Sequence, residues 1–118
     1  MIARIVDEWH GDVPVATVHG ELDASNALEL GERLHALATN RLLAMVVDLS
    51  PTTYLDSAGI NLLFALGADM SARQQQLAVV VRSGSPIERM IEITGLGESA
   101  LVCATLPAAL ASLEADGG

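Results

Sequence analysis

The chain has 118 residues, of which 51% are hydrophobic, and a formal net charge of −9 with six arginines and no lysine. This length fits one domain with a substantial core. The acidic balance disfavours binding to nucleic acid or to an anionic membrane surface, because both require a basic surface. It favours a basic protein partner, although acidity also keeps a small apolar domain soluble.

Membrane insertion and cysteine chemistry are not expected. No apolar run approaches the roughly 20 residues of a membrane-spanning helix, and the first residues lack the basic and apolar segments of a signal peptide. Cys103 is the single cysteine, so it cannot form an internal disulfide, and we interpret it as a small buried side chain in a reducing compartment. We therefore expect a cytoplasmic protein that holds neither a metal nor a cofactor.

The first half of the chain begins with two strands. Alternating residues predict a β-hairpin from Ile2 to Trp9 and from Val13 to His19, with a turn at Gly11-Asp12. Apolar residues at helical spacing then predict an amphipathic helix from Ala24 to Thr39. The nearly continuous apolar run from Leu42 to Leu49 predicts a central strand that is buried on both faces.

The second half alternates helices and strands. Pro51 marks a turn, after which we predict a nearly all-apolar helix at Ser57–Arg73 and a buried strand at Leu77–Val81. Ser85-Pro86-Ile87-Glu88 is a capping box that begins a third helix, which ends at Gly95. A short strand from Ala100 to Ala104 and a helix from Pro107 to Ala115 complete the series.

The predicted order is β-β-α-β-α-β-α-β-α, which indicates an α/β fold. Strands that alternate with helices favour a largely parallel sheet, and the hairpin adds an antiparallel edge, so the central sheet is mixed and flanked by about four helices. We assign residues 1–115 to a single domain and residues 116–118 to a short flexible tail.

The sequence does not match the common enzyme signatures. A P-loop requires a lysine, and Gly95-Leu96-Gly97-Glu98-Ser99-Ala100 follows a helix and precedes a strand, the reverse of a dinucleotide-binding turn. His10, His19 and His35 have no common metal-ligand spacing, so we interpret them as solvated. A hydrolase that combines Ser57, His19 and Asp23 stays a weaker alternative, because no nucleophile elbow is present. We expect no enzyme activity.

Asp56-Ser57 is the doublet that opens the second helix. A purely structural interpretation is an N-cap, because these side-chain oxygens accept hydrogen bonds from free N–H groups of the first turn. Glu21 and Asp23 follow the second strand and should open at the same sheet end, where ligands bind in α/β folds. Gly59 weakens the first helical turn by roughly 1 kcal/mol, and its missing side chain would let a macromolecule approach Ser57. We therefore expect the hydroxyl of Ser57 to be the functional group of this protein.

Three segments resemble the STAS domain family of bacterial anti-sigma-factor antagonists. They are Gly20-Glu21-Leu22-Asp23, then Asp48-Leu49-Ser50 with Tyr54-Leu55-Asp56-Ser57-Ala58-Gly59-Ile60, and finally Leu77–Val81 with Pro86-Ile87 and Thr94-Gly95-Leu96. The resemblance covers nearly the whole chain in the right order. The stretch Pro51-Thr52-Thr53 departs from it by being more polar.

The resemblance implies a STAS-type fold and a partner-switching function in transcription regulation. The unmodified protein would bind an anti-sigma factor that is a serine kinase and so release a sigma factor. The kinase would use ATP to phosphorylate Ser57, which ends binding, and a serine phosphatase would reset the phosphoprotein. The partner-binding residues implied are Glu21, Asp23, Asp56, Ser57, Ala58, Gly59, Ile60 and Phe64.

Two further expectations accompany this interpretation. We expect a monomer or a weak dimer. The alternative function is that of a STAS accessory module or scaffold in a stress-signalling or transporter complex, without sigma-factor control.

Overall fold

A mixed β-sheet forms the centre of the molecule. The computed structural model describes residues 3–39 and 42–117. Within them the strands are, in chain order, β1 (Arg4–His10), β2 (Val13–Leu22), β3 (Ala44–Asp48), β4 (Thr52–Leu55), β5 (Gln76–Val80) and β6 (Leu101–Cys103). The main sheet has the order β1-β2-β3-β5-β6, and β4 pairs with β2. The β1–β2 pair is antiparallel and the other pairs are parallel, as the sequence predicts.

Helices cover both faces of this sheet. They are α1 (Ala27–Leu37), α2 (Ser57–Ala72), α3 (Pro86–Thr94) and α4 (Leu106–Gly117), with a 3₁₀ turn at Leu96–Glu98 after α3. The side chains of β3 alternate between the faces, as expected for a strand. Met45 and Val47 face the larger core, which includes residues of α1, α2 and α3, whereas Ala44 and Val46 face the smaller core under α4. Burial on both faces explains the continuous apolar run of β3.

The fourth strand is absent from the predicted order. The segment around Pro51 is predicted to be a turn, but β4 begins at Thr52 and pairs in parallel with the end of β2, with a register shift between Gly20 and Glu21. Thr52 is only 5% exposed, and its hydroxyl donates a hydrogen bond of 2.7 Å to the Val18 carbonyl of β2. The polar stretch after Pro51 is therefore partly a strand whose threonine satisfies a backbone acceptor in the core.

The predicted boundaries hold for α3 but not for the start of α1. For α3 the prediction is confirmed: the Ser85 hydroxyl accepts a hydrogen bond from the Glu88 N–H at 3.1 Å, and Gly95 ends the helix in the left-handed conformation with φ +78°. By contrast, α1 begins at Ala27 rather than Ala24. The N–H groups of Asn26 and Ala27 both donate to the Asp23 carbonyl, so the chain first makes a turn.

The predicted start of β1 at Ile2 and the last tail residue, Gly118, lie outside the described residues. Helix α4 ends at Gly117. The assignment of residues 116–118 to a flexible tail stays a prediction.

Candidate functional site

Two loops meet at one end of the sheet, because β4 extends the pairing of β2. Leu22 pairs with Leu55, and the Asp56 N–H donates to the Leu22 carbonyl at 3.3 Å. The chain that leaves β2 therefore lies beside the first residues of α2. This is the convergence of the Asp23 and Asp56 segments that the sequence predicts.

Asp56 is the N-cap of α2, and both of its carboxylate oxygens accept hydrogen bonds. Oδ1 accepts from the N–H groups of Ala58 at 2.9 Å and Gly59 at 3.2 Å, which satisfies two donors that have no partner within the helix. Oδ2 accepts from the N–H of Ala24 at 3.3 Å. Asp56 thus caps α2 and ties it to the loop before α1, so its role is at least structural.

Ser57 occupies the first position of α2 and is exposed. No described residue forms a hydrogen bond with its hydroxyl, and Asp56 alone provides the side-chain cap. The neighbouring N–H groups and the helix macrodipole make this position favourable for negative charge, by about 0.3–1 kcal/mol. The serine hydroxyl is therefore accessible and forms no hydrogen bond with a described residue. The N-terminal end of the helix macrodipole favours a phosphate at this position.

Asp23 is held in place by its own loop. Its Oδ1 accepts hydrogen bonds from the Ser25 N–H at 2.9 Å and the Ser25 hydroxyl at 2.5 Å. The Ser25 hydroxyl, assisted by backbone N–H groups of Ser25 and Asn26, lowers the pKa of the Asp23 carboxyl below its usual value of 3.8. Asp23 therefore presents a fixed negative charge next to the α2 N-terminus.

Asn26 is a residue of this loop that is absent from the predicted site. Its side-chain amide donates to the Glu21 carbonyl at 2.7 Å, and its oxygen accepts from the Asp23 N–H at 3.0 Å. The signal was present in the sequence, because asparagine commonly bonds nearby backbone groups in turns. Asn26 and Ser25 thus order the loop that carries Asp23.

Glu21 is a strand residue and not a loop residue. It belongs to β2 and pairs with Tyr54 of β4. Because Leu22 is buried in the larger core and successive strand residues point to opposite faces, the Glu21 side chain points to the other face. Its part in partner binding stays a prediction.

Three of the predicted contact residues are buried or half-buried. Ile60 is 5% exposed and belongs to the larger core, and Phe64 is half-buried against it. Gly59 is also buried, and a Cβ there would lie 2.5 Å from Leu55 Cδ1 and 2.9 Å from the Leu22 carbonyl oxygen. The missing side chain of Gly59 therefore lets α2 pack on β2 and β4, which corrects the expectation that it gives a partner access to Ser57. Ile60 lies in the core, and the parts of Ile60 and Phe64 in partner binding stay predictions.

The histidines show no catalytic arrangement with Ser57 among the described residues. His10 is exposed and His19 is half-buried. His35 is not simply solvated: its Nε2 lies 2.8 Å from Asp69 Oδ2 and its Nδ1 lies 2.8 Å from the Gly31 carbonyl. His35 therefore links α1 to α2, and the solvated interpretation is wrong for this residue.

The described residues contain neither a cluster of metal ligands nor a membrane-spanning helix. They hold no group of three or more His, Cys, Asp or Glu side chains that could bind a metal ion. None of their helices has both the length and the apolar composition to cross a membrane. Cys103 is half-buried and packs against the smaller core.

Comparison with known proteins identifies the family. A sequence profile described as "Mlab, STAS domain" matches residues 5–111, nearly the whole chain. The chain belongs to the STAS domain family. The expected fold is confirmed by a crystal structure of an anti-sigma factor antagonist from Mycobacterium paratuberculosis, with a TM-score of 0.86 and 29% identity over 96% of this chain and 95% of that one.

Two curated relatives of this STAS domain have related names. The anti-sigma-F factor antagonist RsfB of Mycobacterium tuberculosis is 32% identical over 101 residues, which cover 86% of this chain and 81% of that protein. The anti-sigma-B factor antagonist of Listeria monocytogenes is 34% identical over 93 residues, or 78% and 77% of the two chains. Proteins of this kind are regulatory binding proteins, so the STAS domain described here is not an enzyme.

Proposed function

We propose that this STAS domain is an anti-sigma factor antagonist that phosphorylation of Ser57 switches off. The unmodified form binds an anti-sigma factor with serine kinase activity and so frees a sigma factor. The names of the relatives support the class of partner. A serine phosphatase returns the protein to its binding form. The protein acts in the cytoplasm, as a monomer or a weak dimer.

The observation that carries this proposal is the placement of Ser57. Its side chain is exposed at the first position of α2, and the capping function that a serine often has there is performed by Asp56. A kinase can reach the hydroxyl without opening the fold. Loss of the hydroxyl removes no described hydrogen bond, so phosphorylation does not compete with folding.

The proposed loss of partner binding arises from electrostatic repulsion. A phosphate adds about −1.5 to −2 charges at neutral pH, next to the carboxylates of Asp56 and the Asp23 loop and on a chain of net charge −9. The helix N-terminus offsets only about 0.3–1 kcal/mol of the repulsion. At an interface that already fits the hydroxyl and carboxylates, added like charge costs several kcal/mol. We therefore expect release of the partner without rearrangement of the backbone.

Phosphopeptide mass spectrometry tests the site directly. The chain is incubated with ATP and the serine-kinase anti-sigma factor encoded in its genome, and the modified residue is mapped. We expect phosphate on Ser57 and its loss in Ser57→Ala. Ser71→Ala is the matched control, because Ser71 is also exposed on α2 but lies in its last turn. Phosphate on another residue, with Ser57 unmodified, would refute the assignment.

A further inference from the structure

A groove between α1 and α2 begins next to Ser57. Its apolar lining consists of Ala27, Leu28, Gly31, Ala58 and Leu62, and Ala58 is the chain neighbour of Ser57. The hydrogen bond from the Ala24 N–H to Asp56 brings the beginnings of the two helices together at this end. The groove is therefore continuous with the proposed phosphorylation site.

Helices α1 and α2 lie close together at the floor of the groove. Gly31 is buried, and a Cβ there would lie 3.3 Å from Leu62 Cδ1, so α1 and α2 approach each other closely at this point. His35 also lines the groove and hydrogen-bonds to Asp69 of α2 at 2.8 Å. This bond joins the two helices, so the groove is a preformed feature of the fold.

Leu28 is an exposed apolar side chain at the edge of this groove. Its side chain is 80% exposed on α1, although a leucine of this size contributes to stability only when it is buried. It stands at the groove together with Glu32, an exposed acidic residue. An apolar side chain beside one exposed carboxylate matches a partner that presents an apolar side chain flanked by Lys or Arg.

We propose that the α1–α2 groove docks an apolar, basic-flanked segment of the same kinase-type anti-sigma factor that modifies Ser57. The inference rests on the proposed function and assigns the partner a second contact beyond the Ser57 site. This contact places α2 against the kinase and so holds the Ser57 hydroxyl near its active site. A second copy of the chain is a poorer occupant, because two molecules that each carry a net charge of −9 repel each other.

Calorimetric titration with the anti-sigma factor that phosphorylates Ser57 tests the groove. Leu28→Glu should weaken binding at least about tenfold, which corresponds to about 1.4 kcal/mol, and slow the phosphorylation of Ser57. Ile93→Glu is the matched control, because Ile93 is 75% exposed on α3, outside the groove, and its affinity should equal that of the parent chain. Unchanged thermal unfolding of both variants shows that the fold is retained, as expected for exposed positions.

The possible outcomes separate this inference from the function on which it rests. If the parent chain is bound and phosphorylated at Ser57, and Leu28→Glu behaves as the parent does, the groove is not a docking site and the proposed function stands. If the anti-sigma factor neither binds nor phosphorylates the parent chain, both proposals fail. If light scattering shows a parent dimer that Leu28→Glu converts to a monomer, the occupant is a second copy and the inference is overturned.

Discussion

The Asp56 carboxylate accepts a hydrogen bond from the Ala24 N–H, 32 positions away in the chain, while it caps α2. One side chain thereby fixes the helix that carries Ser57 against the loop that carries Asp23. The predicted phosphoacceptor and its acidic neighbour are held at a set distance by a residue that the fold itself needs. This coupling makes the local geometry at Ser57 sensitive to Asp56.

Replacement of Asp56 should measure this coupling. We expect Asp56→Ala to lower the free energy of unfolding by about 1–3 kcal/mol, because it removes an N-cap worth about 0.5–2 kcal/mol and a further hydrogen bond of about 1 kcal/mol. Asp56→Asn keeps a capping oxygen and should lose less. Urea unfolding gives both values, and equal stability of Asp56→Ala and the parent chain would contradict the structural role.

Gly59 should not tolerate even a methyl group. Alanine favours a helix interior by about 1 kcal/mol over glycine, yet its Cβ at this position would lie 2.5 Å from Leu55 Cδ1. We therefore expect Gly59→Ala to destabilise the protein by about 1–3 kcal/mol, as overpacking does. Gly97→Ala is the control, because a Cβ there meets no atom within 4 Å. A thermally stabilised Gly59→Ala would show that the packing against Leu55 is looser than described.

The Thr52 hydroxyl should stabilise the β2–β4 pair. Valine has the same shape but leaves the buried Val18 carbonyl without this donor, so we expect Thr52→Val to cost about 1–3 kcal/mol. Thr53→Val, at the exposed neighbouring position, should change stability by no more than about 0.5 kcal/mol. Denaturant unfolding gives the stability of both variants. Equal stability of Thr52→Val and Thr53→Val would show that the Thr52 hydroxyl does not stabilise the β2–β4 pair.

The Asp23 carboxyl should titrate below its usual pKa of 3.8, because the Ser25 hydroxyl stabilises its charged form. Because the Asp23 pKa is lower in the folded state than in the unfolded state, the charged carboxylate contributes to the free energy of unfolding at pH values above the unfolded-state pKa. This contribution is lost as the pH falls through the folded-state pKa. Carboxyl chemical shifts followed by NMR give the pKa directly. In Ser25→Ala the Asp23 pKa should rise toward 3.8, and an unchanged pKa would assign the shift to another group.

The sequence predicts those features of this fold that arise from local chemistry. The Ser85 cap, the left-handed Gly95 and the Asp56 cap follow from residues within one helical turn, and all are present in the structure. Strand β3 is predicted by its apolar run, because it is covered on both faces. These features are encoded by neighbouring residues.

The errors concern contacts between distant parts of the chain. Strand β4 has four residues next to a proline turn, and it forms because the last residues of β2 pair with it on both sides of a register shift. Helix α2 is apolar on nearly every side, so periodicity alone could not show that Ile60 faces the core. The link between His35 and Asp69 joins two helices, and no spacing within the sequence reveals it.

The affinity of the anti-sigma factor for the chain before and after phosphorylation of Ser57 tests the central claim most directly. Titration calorimetry should show binding that is at least about a hundredfold weaker after phosphorylation, or about 2.7 kcal/mol, while Ser57→Ala keeps the affinity of the unmodified chain. Equal affinity of the phosphorylated and unmodified chains would contradict the account.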